Sequence, residues 1–254
     1  MFVLAHPIGH VRASAVLNSY FGSTGKDVAA SPLHVLPDDL ATVIGAIRRM
    51  QNVAGFGLTI PHKIAAIPLL DALTEEAGVI GAVNFVRRDH DGRLVGTNTD
   101  GAGFVSGLRN NGVDPCGGRI LMAGAGGVGR AIAFALAEAG ARSIRIMNRD
   151  RAKATELARA VAATFPDCAV EPDAAGVGPF DIFVNATSLG LVPEDPLPIT
   201  EAALAAIPTV AEVVMNPPVT ALMRAAARCG ARVVPGKAML DAQMALVAAF
   251  MRID

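Results

Sequence analysis

The sequence predicts an α/β fold in two domains, and three observations carry that expectation. Short apolar runs alternate with helical stretches at βαβ spacing, which argues for a parallel sheet covered on both faces. Over 254 residues, 52% are hydrophobic and 18% charged, enough for a sizeable core and incompatible with a disordered chain. The pattern also changes near residue 100, where a polar segment separates a less regular first part from a cleaner alternation.

In the first part, Phe2 to Ala5 reads as a strand and Ala13 to Phe21 as a helix. Ala29 to Leu36 reads as extended. Pro37 to Met50 reads as helical, with the proline near its start. Gly55 to Ile60 is an apolar strand ending at Pro61, and Ala65 to Ala77 is expected to be one helix perturbed by Pro68. Asn84 to Arg88 and Arg93 to Gly96 flank His90-Asp91-Gly92, a hairpin signal. In the second part, Arg119 to Ala123, Ser143 to Met147, Asp181 to Asn185, Val210 to Met215 and Ala231 to Val234 read as strands. Helices are expected over Gly127 to Ala139, Arg151 to Ala163, Val219 to Cys229 and Ala238 to Met251. Gly176 to Gly178 and Pro193 to Pro198 are loops by composition.

Scarce residues narrow the function. With 22 basic and 23 acidic residues the net charge is −1, so no nucleic-acid footprint and no polybasic membrane patch is expected. No apolar stretch reaches the roughly 18 to 20 residues a spanning helix needs; Ala242 to Met251 is broken by Gln243. The start, Met1 to Pro7, lacks the basic and apolar regions of a signal peptide. Cys116, Cys168 and Cys229 form no Cys-x-x-Cys pair, and the five histidines show no ligand spacing. Neither a disulfide framework nor a metal is therefore expected, and a cytoplasmic setting is the simplest reading. The single tyrosine, Tyr20, is followed four residues later by Thr24, which excludes a Tyr-x-x-x-Lys acid/base pair. Gly22 to Lys26 imitates a phosphate loop, but Asp27 follows the lysine and would repel phosphate.

Gly124-Ala125-Gly126-Gly127-Val128-Gly129 fits G-x-G-x-x-G, follows a strand and opens a helix. Gly124 permits the tight turn, Gly126 lets backbone approach a pyrophosphate, and Gly129 allows close helix–strand packing. The helix N-terminus offers unpaired amides to the anion. A Rossmann-type dinucleotide-binding domain is the expectation. The next strand ends at Asn148, where an NAD enzyme usually carries an acidic residue, and Arg149 follows. A guanidinium can grip a 2′-phosphate, and Arg151 and Lys153 add positive field, which favours NADP over NAD. Asp150 is the dissenting charge, able to pair with Arg149 or to repel phosphate.

Leu58 to Lys63 puts a lysine just past an apolar strand, and Thr97 to Gly103 forms a polar knot at the junction of the two halves. On residue types alone, a solvated lysine and a helix-capping Thr99 or Asp100 explain them equally well.

These segments together resemble the shikimate dehydrogenase family. The resemblance rests on Pro7 to His10, Leu58 to Lys63, Gly81 to Asn84, Gly96 to Gly101, the glycine loop, Asn148-Arg149, Asn185 to Gly190 and Gly236 to Gln243, in family order over nearly the whole chain. It implies a substrate domain of residues 1–100 with the terminal helix 237–254, facing an NADP domain of residues 101–236 across a cleft. It further implies reversible hydride transfer between NADP and a ring alcohol or ketone, shikimate and 3-dehydroshikimate or a close analogue, in aromatic amino-acid biosynthesis (the chorismate pathway). Lys63 matches the catalytic lysine and Asp100 its partner; Thr59, Asn84 and Gln243 match positions that bond substrate hydroxyls. Ala186, Thr187 and Gly236 fall on cofactor positions. The implied partner is a small cyclic polyol or hydroxy acid, and the chain is expected to be a monomer or homodimer.

The resemblance breaks at three substrate positions. Val11 and Ala13 stand where the family carries two serines for the substrate carboxylate, and Met215 stands where it carries a tyrosine. Lost hydrogen bonds of this kind can cost roughly 10⁴-fold in selectivity. Either Arg12 or Ser14 takes over the carboxylate, or the enzyme is a paralogue for a cyclic polyol or ketone lacking those contacts. A non-catalytic NADP-binding sensor is the third reading, and the lysine–aspartate pair argues against it.

Overall fold

The computed structural model describes residues 1–9, 11–173 and 178–253. His10, Gly176 and Val177, which the sequence reading used, lie outside the described residues. The chain divides into two compact units, residues 1–100 with 243–254, and residues 101–242.

The first unit is built on β1 (Phe2–Ala5), α1 (Ala13–Ser23), β2 (Ser31–His34), α2 (Leu40–Arg49), β3 (Gly55–Leu58), α3 (His62–Ala65), β4 (Ala72–Leu73), α4 (Glu75–Ile80), β5 (Phe85–Arg88) and β6 (Leu94–Thr97). Its sheet has the order β2-β1-β3-β5-β6-β4. The strands β2, β1 and β3 are parallel, while β5 runs antiparallel to both β3 and β6. This sheet is therefore mixed rather than parallel, because the tight His90-Asp91-Gly92 connection leaves room only for a hairpin. Leu40, Ile44 and Ile47 recur at helical spacing along α2 and bury one stripe against Leu4, Phe56, Leu58 and Val86.

The single helix expected over Ala65 to Ala77 is not formed. The chain makes α3, a 3₁₀ turn at Ile67–Leu69, the strand β4 and then α4. Pro68 has no amide to continue α3. Ala72 and Leu73 pair with Val95 and Gly96 of β6, and the Thr74 hydroxyl accepts from the Ala77 amide to start a new helix.

The second unit comprises α5 (Asp100–Asn110), β7 (Arg119–Ala123), α6 (Gly127–Glu138), β8 (Ser143–Met147), α7 (Arg151–Thr164), β9 (Ala169–Asp173), β10 (Ile182–Asn185), α8 (Glu201–Leu204), β11 (Thr209–Glu212), α9 (Ala221–Arg228), β12 (Arg232–Val234) and α10 (Gly236–Met251). Asp100 begins α5 and the last turns of α10 count with the first unit. The sheet is wholly parallel in the order β12-β11-β10-β7-β8-β9. Its core is apolar side chains of the strands with the helices beside them, such as Leu121, Phe183, Val210 and Leu222. Two differences from the sequence expectation stand out. The edge strand β9, Ala-Val-Glu-Pro-Asp, carries little apolar signal, and its Pro172 is tolerated because only β8 pairs with it. The strand expected over Val210 to Met215 stops at Glu212, whose own carboxylate accepts the amides of Val213 and Val214; the Val213 amide also reaches the Asn185 carbonyl of β10 at 3.2 Å.

Helices α5 and α6 approach closely at Gly101, where a Cβ would lie 2.4 Å from the Ala131 carbonyl oxygen. Backbone cannot yield cheaply there, so Gly101→Ala should cost about 1 to 3 kcal/mol. Thermal unfolding checks this, and an unchanged midpoint would contradict the packing described.

Candidate active site

Three loops meet at one edge of the first sheet. Lys63 lies in α3 directly after β3, Asn84 precedes β5, and Thr99 and Asp100 follow β6. Because β5 runs against its two neighbours, its start lies beside their ends. Backbone bonds fix the arrangement: the Leu58 amide donates to the Asn84 carbonyl (2.7 Å), the Asn84 amide to Thr97 (3.0 Å) and the Val83 amide to Lys63 (2.8 Å).

The side chains then converge. Lys63 Nζ donates to Asp100 Oδ2, with both side chains nearly buried. Asn84 Nδ2 lies 2.9 Å from Asp100 Oδ1, 3.0 Å from Thr99 Oγ1 and 3.1 Å from Gln243 Oε1. Asn84 Oδ1 accepts from the Thr99 amide at 2.9 Å, and the Thr99 hydroxyl donates to Gln243 Oε1 at 2.7 Å. A buried ammonium and carboxylate each offset the other's desolvation, and the surrounding amides complete their hydrogen bonding. Asp100 is thus no mere helix cap; Asn98 Oδ1 accepts the Asp100 amide (3.0 Å) while its Nδ2 donates to the Ala82 carbonyl (3.0 Å).

Lys63, Asp100, Asn84 and Gln243 are brought together as the sequence predicted. Thr59 is half-buried after β3, and its hydroxyl has no partner among the described residues. Val11 and Ala13 sit half-buried at the start of α1, next to exposed Arg12 and buried Ser14. Thr99, beside Asp100 in the polar knot, joins this cluster through its amide and its hydroxyl, a role that its residue type does not announce. His62 neighbours Lys63 and is fully buried; its Nε2 donates to the Val35 carbonyl at 2.9 Å, and burial pushes its pKa down, so it stays neutral.

The polar residues of the second unit gather at the carboxyl ends of its strands. Gly124 has φ +111, and a Cβ there would meet the Ala186 carbonyl oxygen at 2.5 Å. A Cβ on Gly129 would meet the Gly124 carbonyl oxygen at 2.3 Å, whereas one on Gly126 would meet nothing within 4 Å. Gly126 precedes α6 without a side-chain cap, so the first amides of that helix, from Gly127 and Val128 onward, remain open to an anion. Asn148 follows β8 and is half-buried. Its Oδ1 accepts the Ala125 amide at 3.1 Å and its Nδ2 donates to the Asp150 carbonyl at 2.8 Å, so it braces the glycine loop. The Asp150 carboxylate caps α7 by accepting the amides of Ala152 and Lys153. Arg149, Arg151 and Lys153 are exposed and form no ion pair among the described residues.

Two strands away, Glu212 is 1% exposed. Its Oε1 accepts from Asn185 Nδ2 (2.9 Å) and from the amides of Val213 (3.0 Å) and Val214 (3.1 Å); its Oε2 accepts from the Thr220 hydroxyl (3.2 Å). Asn185 Oδ1 in turn accepts from the amide and hydroxyl of Thr187. Met215 follows, half-buried, in the loop beyond β11.

The chain is similar to known proteins over nearly its whole length. Residues 3–86 match the family model for the shikimate dehydrogenase substrate binding domain, and residues 112–191 that for shikimate/quinate 5-dehydrogenase. A shikimate dehydrogenase (NADP(+)) of Rubrobacter xylanophilus is 39% identical over 94% of this chain and 85% of its own. The shikimate 5-dehydrogenase of Thermus thermophilus, solved with NADP(H) and shikimate, is 32% identical with a TM-score of 0.86, covering 98% of this chain and 92% of that one. The 5-ketofructose reductase of a Gluconobacter species is 33% identical with a TM-score of 0.85, covering 98% and 91%.

Burial pushes the Glu212 carboxyl from its ordinary 4.5 up to about 7, against the four hydrogen bonds that lower it. A raised folded value means that its contribution to stability is fully present below pH 4.5 and is lost as pH rises through about 7. Glu212→Gln cannot ionise. Its stability relative to the native protein should therefore rise between pH 5 and 8, by at most about 3 kcal/mol. Denaturant titrations at both pH values check this; a difference independent of pH would contradict it.

Proposed function

This chain belongs to the shikimate dehydrogenase family, and we propose that it interconverts a ring ketone and a ring alcohol at the site built on Lys63 and Asp100. It is an NADP-dependent oxidoreductase of the shikimate dehydrogenase type. When bound, the reduced cofactor supplies a hydride. The chain must therefore manage one proton and hold the substrate.

Lys63 suits the proton. In the reducing direction its ammonium protonates the developing alkoxide and offsets its charge; in the oxidising direction the amine accepts that proton. Asp100 holds Nζ in place, and Asn84, bonded to the other oxygen, fixes the carboxylate. Asn84, Gln243 and the unengaged Thr59 hydroxyl hold the hydroxyls beside the reacting carbon. This buried network is the observation that carries the reading, since a binding protein has no need of a desolvated amine–carboxylate pair.

The second unit fits the dinucleotide. Gly126 is open to a close-lying pyrophosphate and the first amides of α6 face it. Asp150 spends its carboxylate on its own helix, which leaves Arg149, Arg151 and Lys153 for the 2′-phosphate.

A second reading of the substrate rests on Val11, Ala13 and Met215. Apolar side chains at three positions where, by the family resemblance, hydroxyl-bearing residues hold a substrate carboxylate favour a polyhydroxylated ketone without one. The likeness to a 5-ketofructose reductase supports it, because a ketohexose of that kind carries no carboxylate.

NADPH oxidation with 3-dehydroshikimate and with 5-ketofructose decides between the two. Faster turnover of the uncharged ketone supports the second reading; a dominant 3-dehydroshikimate rate ends it, and absence of turnover with both of these and with every cyclic polyol tried counts against the reaction itself. In Lys63→Ala, kcat on the better substrate should fall by about 10²- to 10⁴-fold with NADPH binding kept. Near-native turnover would remove Lys63 from the chemistry.

A further inference from the structure

Glu212 takes no part in the chemistry proposed above, yet each of its four hydrogen-bonding partners is a donor. Asn185 Nδ2 and two backbone amides converge on Oε1, and the Thr220 hydroxyl reaches Oε2. Thr220 Oγ1 already accepts the Met223 amide at the start of α9, so its proton is free to point to Glu212. A carboxylate meets all four donors; a glutamine would set its own NH₂ against one of them. No cation is among these partners, so the ionised group is costly to bury.

What the carboxylate holds is local and specific. On one side it fixes Asn185, which closes the next loop on itself: Oδ1 accepts from the Thr187 amide and hydroxyl, Nδ2 donates to the Leu189 carbonyl, and the Leu189 amide donates to Thr187 Oγ1. Ala186, inside that loop, lies against Gly124 of the glycine loop. On the other side Glu212 fixes the turn at Val213 and Val214, the backbone on which Gly236 sits; a Cβ at Gly236 would meet the Val214 carbonyl oxygen at 2.4 Å. Glu212 thus sets the spacing between two loops that flank the glycine loop on its β10 side.

A dinucleotide on an open parallel sheet lies across the carboxyl ends of the strands with its pyrophosphate at the glycine loop. With the 2′-phosphate at Arg149 beyond β8, the nicotinamide half falls on the side of β10 and β11. We propose that Glu212 is a positioning residue for the nicotinamide half of NADPH, acting through the loops at Asn185–Gly190 and Val213–Met215 without touching the cofactor. The inference rests on the NADP reading above.

The test compares two ligands by calorimetry on the whole chain. NADPH carries both halves; 2′,5′-ADP carries the adenosine half with its 2′-phosphate and no nicotinamide. Glu212→Ala should weaken NADPH about tenfold or more, as expected for donors left without an acceptor. It should leave 2′,5′-ADP within about twofold, because Arg149 and the glycine loop stay in place. Glu212→Gln, which keeps an acceptor for three of the four donors, should show a smaller selective loss, and it carries the test alone if the alanine variant does not fold. Equal weakening of both ligands, or unchanged NADPH affinity, would overturn the role of Glu212. A native protein that binds neither ligand would instead overturn the NADP reading itself.

Discussion

The buried pair of Lys63 and Asp100 is the constraint around which the first unit is arranged. Two opposite charges removed from water must be close to each other and fully hydrogen-bonded, or the fold loses more than it gains. They come from segments 37 residues apart, and a sheet edge is what brings them together. The antiparallel β5 puts Asn84 at the same edge as the ends of β3 and β6, and three backbone bonds lock the loops together. Asn84 then serves as the connector, with one side chain reaching Asp100, Thr99 and Gln243. The mixed pairing of this sheet is what assembles the cluster: a purely parallel arrangement would place the start of β5 at the far edge.

The second unit solves a different problem with a uniform sheet. All of its strands are parallel, so every carboxyl end lies on one edge. Gly124 follows β7, Asn148 follows β8, Asn185 ends β10 and Glu212 ends β11. Neutral amides and backbone brace the glycine loop, while Arg149, Arg151 and Lys153 gather on the exposed turn and first helical residues after β8. The buried Glu212 carboxylate at that edge stands where it organises loops.

Much of this was legible in the residues. The Gly124 to Gly129 spacing, a strand before it and an Ala-rich helix after it specify the dinucleotide unit, because backbone geometry demands glycine at those points. Lys63 and Asp100 were legible as a pair only through the resemblance, since nothing in a linear chain says that a lysine after one strand meets an aspartate after another. The helix expected over Ala65 to Ala77 failed because a favourable local pattern lost to Pro68, to the Thr74 cap and to pairing with β6. The edge strand β9 was invisible because an edge needs few apolar side chains. That Asn148 braces the glycine loop was not legible, since the hydrogen bond depends on a residue 23 positions earlier. Glu212 gave one signal, a lone acid in an apolar strand, whose meaning depends on donors from Asn185 and Thr220 that only the fold assembles.

In the proposed reaction Lys63 and Asp100 work as one unit, and a double-mutant cycle measures that directly. Lys63→Met and Asp100→Asn are compared, singly and combined, by kcat at saturating NADPH and substrate. Groups acting as a unit lose their effect together, so the double variant should turn over within about threefold of the slower single variant. Losses that multiply would show two independent contributions and contradict the account.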